Sequence, residues 1–442
     1  MSLSSLIFIT VYGIGSLMTL YNPVFGILTY VFEWHNHPPY YWWGDSLPDL
    51  RWAYTISLLT LGSWAIHRAR LPKLTFHEKR PAAWLFFFAL NAIAVSLFVA
   101  IDPNESLSKA IELVKVWVLF LLMTQLVRTY PDYRKMIWVI MVCVGYLGWI
   151  AFNEGSNRDI GVKAPNATEE NAMSAHVMTV MAFYGIYFLM GKRWEKILLA
   201  VMAPFCLNLI ILANSRGTFL GLVAIGALSI YLIKGRFRWW AMAGMVGAVL
   251  VFFSLTNEQF WERQSSTTDY KEDNSAMSRF HIWEGGWEML MDRPYGLGGM
   301  GFVHLSMAYI PEITEPKSQH NTFVAAATDW GFQGIFFYMG FLTTVFLITV
   351  RIKRRSKLHP DLKKYMLEGT ALQLAIVGIS VAGLTHSRQY NEVVYWLGAL
   401  TVMLTNIQET EISALQDAEE IKVEAVPEPS EAAPVVQNSI AR

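Results

Sequence analysis

Residues 197–233 read ILLAVMAPFCLNLIILANSRGTFLGLVAIGALSIYLI, and the one charged side chain between Lys196 and Lys234 is Arg216. Each half of this stretch is long enough to cross the hydrocarbon of a bilayer as a helix, which takes about 17–25 apolar residues. The turn between the halves, Asn214-Ser-Arg216, is very short. The chain therefore crosses at 196–213 and returns at 217–233, with an arginine at the membrane surface in between.

The composition extends that reading to the whole chain. Of 442 residues, 54% are hydrophobic and 16% charged, with mean hydropathy +0.32. A soluble chain carries about a quarter charged residues, so an ordinary cytosolic enzyme and a disordered protein are both excluded. The 35 basic side chains balance 35 acidic ones. That leaves no cationic surplus for nucleic acid, which needs one for its phosphates. Cys143 and Cys206 both sit in apolar runs, so no disulfide framework or cysteine zinc site is expected.

Candidate spans lie at 3–20, 22–34, 52–67, 82–101, 109–127, 135–152, 172–190, 196–213, 217–233, 239–255, 322–350, 365–384 and 390–406. The expected class is an all-α polytopic membrane protein of about 12–13 transmembrane helices, since continuous apolar runs do not make a barrel. Segment 22–34 is short and opens at Asn22-Pro23, which also fits a half-span. The first run lacks a signal-peptide cleavage pattern and reads as a retained helix.

Positive charge collects in loops 67–80, 128–135, 191–196, 234–238 and 351–364. The positive-inside rule makes these cytoplasmic and turns 35–51, 102–108, 153–171, 214–216, 256–320 and 385–389 outward. The chain then divides into an N-terminal membrane region (1–127), central membrane helices (128–255), a large outer loop with short helices (256–321), C-terminal membrane helices (322–406) and an acidic tail (407–442) expected to be disordered. In the large loop, Ile282, Trp283, Trp287, Leu290 and Met291 share one face of a helix. That helix either lies along the membrane surface or packs into an external subdomain.

The outer side also carries the residues suited to chemistry. Arg216 falls in the first turn of a helix, capped by Asn214 or Ser215. Free N–H groups and a guanidinium there favour a phosphate or diphosphate, although an arginine snorkelling to lipid headgroups fits the position equally well. His320 precedes the 322–350 span, where the positive helix end favours a neutral ring. A neutral imidazole can take a proton from a hydroxyl, or it can simply cap the helix. Gly331 and Gly334 would admit a close neighbour.

Arg279, Arg388, Arg158, Lys163 and Arg263 are further outer cations. Lys115 lies ~9 Å into a span, where an ionisable group faces a cavity or a partner, and Glu112 could neutralise it. His35 and His37 lack the third ligand of a metal site and read as structural beside the aromatic run Tyr40–Trp43. No P-loop, dinucleotide turn or HExxH is present in the sequence.

Arg216 and Leu220 form R-x3-L, and His320, Asn321, Gly331 and Gly334 form H-N-x9-G-x2-G. With Arg279-x3-Trp283 and Pro294-Tyr-Gly-Leu-Gly-Gly-Met-Gly301, the chain resembles the O-antigen ligase/polymerase superfamily. Asn22-Pro-Val-Phe-Gly26 and the aromatic outer loop resemble its exosortase A-associated O-glycosylation ligase branch. Ile335-Phe336 departs from the small polar residues of some ligases.

The resemblance implies a GT-C-like membrane fold in the bacterial inner membrane, with the active site facing the periplasm. It implies glycan transfer from undecaprenyl diphosphate to a hydroxyl of lipid A–core, a glycan or a protein, inverting and without a metal or cofactor. Arg216 would stabilise the leaving diphosphate, with Arg279, Arg388 and Lys115 as further substrate-binding cations, and His320 would act on the acceptor hydroxyl. A Wzy-like polymerase would share the donor but use a polyprenyl-linked acceptor. A polysaccharide or lipid transporter would place its ionisable groups near mid-membrane and show repeated halves.

Overall fold

The computed structural model describes residues 2–74, 76–156, 159–256 and 274–424. Arg158, Arg263 and the tail 425–442 lie outside the described residues. Within them the chain forms fifteen α-helices and no sheet.

The helices are α1 (Leu3–Thr19), α2 (Val24–His35), α3 (Trp52–His67), α4 (Arg80–Phe98), α5 (Pro103–Leu126), α6 (Tyr130–Glu154), α7 (Glu170–Met190) and α8 (Arg193–Leu212). Then follow α9 (Arg216–Leu232), α10 (Arg236–Leu255), α11 (Asn274–Asp292), α12 (Gly301–Tyr309), α13 (Thr322–Arg355), α14 (Lys363–Gly383) and α15 (Glu392–Glu424).

Every segment read as a span is helical. Seven helices are long and apolar enough to cross a membrane by themselves: α4, α6, α7, α8, α10, α13 and the α14 segment, taken from Pro360. The chain is an all-α polytopic membrane protein. Helices suit that setting because each closes its own backbone hydrogen bonds.

The starts of the helices follow local chemistry. Asp102 caps α5 by accepting from the Asn104 and Glu105 N–H groups, with Pro103 at the first helical position. Thr129, Ser215 and Asn321 cap α6, α9 and α13 in the same way.

The basic loops gather at one end of the bundle. Glu78 pairs with Arg80 (2.5 Å) and Arg351 (3.1 Å), and Arg134 with Glu195 (2.7 Å). Lys364 reaches Glu411 at 2.9 Å, and Arg355 meets Glu409. The helix α15 continues to Glu424, and Glu409 and Glu411 within it answer the basic α13–α14 connection.

The remaining loops meet at the opposite end. Ile101 donates to the Leu297 carbonyl (2.9 Å), Tyr41 to the Lys163 carbonyl (3.2 Å) and Arg388 to the Asn171 carbonyl (2.6 Å).

The 322–350 span is not one helix. Gly331 has φ 76° and breaks α13 near its start. A break orphans backbone groups that must find partners elsewhere. The Thr328 and Asp329 carbonyls accept from the Leu297 and Gly298 N–H groups, both at 2.9 Å, and the Phe332 N–H donates to the Pro294 carbonyl at 3.0 Å. The Trp330 carbonyl accepts from the Asn91 side chain at 2.9 Å.

The glycine-rich segment 294–301 is therefore laid backbone to backbone against the break. A Cβ on Gly296 would stand 2.6 Å from the Gly331 nitrogen, and one on Gly331 would stand 2.5 Å from the Tyr295 carbonyl carbon. The close neighbour that the glycine spacing required is this loop.

The helix over 281–291 is part of α11. Ile282, Met289 and Leu290 are buried, and Ile282 and Met289 join Leu297, Phe302 and Ile310 in a small separate core. Trp287 and Met291 are exposed. Gly285 and Gly286 are buried, and a Cβ on Gly285 would meet Ile310 at 2.5 Å. The contact with α12 thus turns the helix about that glycine pair.

Candidate active site

Ser215 is the residue that caps α9, accepting from the Thr218 N–H at 3.4 Å. Asn214 before it has φ 46° and makes the turn. Arg216 is thereby fixed at the first position of α9, half-buried. The next residue, Gly217, lies against the α14–α15 connection. A Cβ there would fall 1.8 Å from Thr385 Oγ1 and 3.3 Å from His386 Nδ1.

The start of α13 touches the same connection from the other side. Asn321 caps it, accepting from the Phe323 N–H at 2.9 Å and the Val324 N–H at 3.2 Å. Thr322 donates its hydroxyl to the His386 carbonyl at 2.6 Å. His320 stands immediately before the cap in the left-handed region, φ 47°, which costs a non-glycine residue of order 1 kcal/mol. Gln319 and Asn321 are buried on either side of it, and His320 remains half-exposed. Arg216 and His320 thus occupy the N-terminal ends of two helices that abut one short segment, Thr385–His386.

Arg279 joins them through Trp283, one turn along α11. The Trp283 indole N–H donates to the Gln319 carbonyl at 3.1 Å, which docks α11 beside His320. Burial first, then the charges of Arg279 and Lys317, lower the His320 pKa below its usual value. His386 is lowered further, by burial and then by Arg388, Arg279 and His320. Both rings are held neutral in a strongly cationic corner.

Arg388 and Lys115 are placed differently from the others. Arg388 is 3% exposed. Its Nη1 and Nη2 donate to the Ala172 and Asn171 carbonyls at 3.0 and 2.6 Å. Burial pushes its pKa down to about 10, so it stays charged and acts as a clamp on the first turn of α7. Its Nε lacks a partner and the residue lines a small cavity with Thr322, Phe323, Tyr338 and Ser380.

Lys115 does not join the site. It is exposed on the side of α5, away from any cavity described, and Glu112 pairs instead with Lys109 at 3.0 Å. Nearly two helical turns separate Lys109 from the depth of Lys115, and the shallower lysine takes the carboxylate.

Sequence reasoning missed Asp329. It is 2% exposed and accepts from Gln319 Nε2 (2.8 Å), Gln389 Nε2 (3.0 Å) and the Tyr390 hydroxyl (2.9 Å). The available signal was its isolation: it is the one charged residue between His320 and Arg351, and an ionisable residue in such a run calls for a partner.

The histidines of the aromatic loop are structural. His35 Nε2 lies 2.9 Å from His176 Nε2, and His37 Nδ1 lies 2.5 Å from Glu33 Oε1. Asp102, Glu105 and His304 bring three metal-ligand types together, a grouping of residues two hundred positions apart that the sequence could not display. There Glu105 pairs with His304 at 2.8 Å while Asp102 caps α5.

Residues 198–339 match the family model described as O-Antigen ligase. The match supports the O-antigen ligase/polymerase superfamily for this part of the chain. The match takes in Arg216, Arg279, His320, Asp329, Gly331 and Gly334, and ends before the α14–α15 connection. An O-antigen ligase domain supports a ligase-like glycan-transfer function in polysaccharide biosynthesis, and the family implies a lipid-linked glycan donor and an acceptor. No curated protein matches the chain.

Proposed function

We propose that the protein is an O-antigen ligase-type glycosyltransferase that moves a glycan from undecaprenyl diphosphate to a hydroxyl acceptor at the periplasmic face of a bacterial inner membrane. The observation that carries the reading is the meeting of the α9 and α13 N-termini at Thr385–His386. It puts a guanidinium and a neutral imidazole beside one segment, at the end of the bundle opposite the basic loops.

The chemistry follows from those groups. The diphosphate sits against Arg216, Arg279 and the positive N-terminal end of α9. The acceptor oxygen attacks the anomeric carbon and its proton passes to the His320 ring. The carbon–oxygen bond to the diphosphate breaks, and the polyprenyl diphosphate leaves with the bonding pair. Cations fixed in advance stabilise that growing charge without reorganising. Acceptors to be separated are lipid A–core, a glycan and a protein, the last suggested by the resemblance to exosortase-associated ligases. A polyprenyl-linked acceptor would make the enzyme a polymerase.

The test is transfer by purified, reconstituted protein from a defined polyprenyl-diphosphate glycan, with the acceptor classes offered side by side. Arg216→Ala and His320→Ala each abolish transfer while leaving insertion intact. Full activity in either variant overturns the mechanism. Cysteine labelling of residues 293–318 from the cytoplasmic side alone overturns the orientation.

A further inference from the structure

We propose that Asp329 is a positioning residue that ties the segment carrying His320 to the segment carrying Arg388. The inference rests on the reading of His320 as the base.

Gln319 and Gln389 belong to connections seventy residues apart in sequence, and each donates to a different oxygen of the one carboxylate, at 2.8 and 3.0 Å. Tyr390 adds a third bond at 2.9 Å. The carboxylate itself cannot drift. It sits two residues before the break in α13, and its own main-chain carbonyl is taken by the Gly298 N–H at 2.9 Å.

Each arm is then fixed beyond the carboxylate. Gln319 also donates to Thr328 Oγ1 at 3.1 Å, and its carbonyl accepts from Trp283 at 3.1 Å. Both of its amide hydrogens are therefore committed, and His320 is the next residue. On the other arm the Gln389 carbonyl accepts from the Tyr395 hydroxyl at 2.5 Å, and Arg388 is the preceding residue, clamped on α7. A buried carboxyl group is costly unless its partners stay in place. The three side-chain donors are accordingly held as one unit, because withdrawing any of them leaves the carboxyl short of a partner. Asp329 touches neither donor nor acceptor. It acts by fixing where the imidazole of His320 stands relative to the α9 end.

The two arms give two variants of different severity. Asp329→Asn keeps the shape but turns one of the two acceptor oxygens into a donor facing donors. Gln319→Leu leaves Asp329 its other two donors and removes only the His320 arm. In the reconstituted transfer assay, Asp329→Asn is expected to lower kcat about tenfold or more with the donor KM within twofold. Gln319→Leu is expected to give a similar loss, and the double variant to be no slower than the slower single one.

Wild-type kcat in either single variant overturns the proposal. So do losses that multiply in the double variant, or a raised KM with kcat unchanged. If Asp329→Asn fails to insert, Gln319→Leu decides alone by the same kcat criterion. If wild type transfers and His320→Ala abolishes transfer while these variants are not slowed, the positioning role falls and the proposed function stands. If wild type transfers nothing, the functional reading falls and takes this one with it.

Discussion

Gly217→Ala tests whether Arg216 and the His386 segment belong to one centre. In an open helix this change would help, since alanine is better than glycine there by about 1 kcal/mol. Here the new methyl would stand 1.8 Å from Thr385 Oγ1, 3.0 Å from Thr385 Cβ and 3.3 Å from His386 Nδ1. Ordinary contact is about 3.5 Å, so the start of α9 and the α14–α15 connection must separate by roughly 0.5 Å if the threonine rotates, and by about 1.7 Å if it does not.

A misplacement of about 1 Å at a reacting centre can cost 10²-fold. Gly217→Ala should therefore lower transfer between about tenfold and a hundredfold, with overpacking of about 1–3 kcal/mol offsetting any helix gain. Gly226, on the same helix, is the control, since a methyl there meets its nearest neighbour, Met245, at 3.8 Å. Gly226→Ala should transfer like wild type, and Thr385→Ala should restore part of the Gly217→Ala loss. The assay is initial-rate transfer in proteoliposomes at matched protein density. Equal activity in Gly217→Ala and Gly226→Ala would refute the reasoning.

Further outcomes follow from the same geometry. The depressed His320 pKa means the ring is its basic form at neutral pH, so transfer should fall only as pH drops below the ordinary histidine value of about 6.5. Arg279→Gln removes one of the repelling charges, so this acid limb should move to higher pH; a pH–rate profile that leaves it in place contradicts the assignment. Gly331→Ala must accept a left-handed backbone and a methyl 2.5 Å from Tyr295, costing about 2 kcal/mol or more, and thermal unfolding in detergent should begin at a visibly lower temperature. Lys115→Ala should change neither KM nor kcat by more than about twofold, as expected of an exposed side chain outside the site.

The helical architecture was legible because apolar runs of span length report their own periodicity and ends. So was the turn at Arg216 with its cap at Asn214 or Ser215, which depends on neighbours in sequence. The break in α13 was not, although Gly331 was noticed, because what replaces its lost hydrogen bonds comes from residues 294–298 and Asn91. The packing of α11 was left open for a related reason: the apolar pattern named one face without saying what covers it, and the glycine pair Gly285–Gly286 sets the side that meets α12. Lys115 was misplaced because depth along a helix says nothing of azimuth. Arg388 was picked out by charge, but only coordinates show that its guanidinium is spent on the carbonyls of α7.

The seam between residues 294–298 and the interrupted α13 is made of main-chain atoms. Peptide groups are common to every residue, so the exposed Tyr295 could be exchanged widely while the stitching persisted. What cannot be exchanged is the count of positions from His320 to Gly331 and the small residues where two chains touch. The molecule thus measures the placement of its imidazole with a ruler that is blind to side-chain chemistry, and such a ruler leaves its trace in a sequence as intervals between glycines.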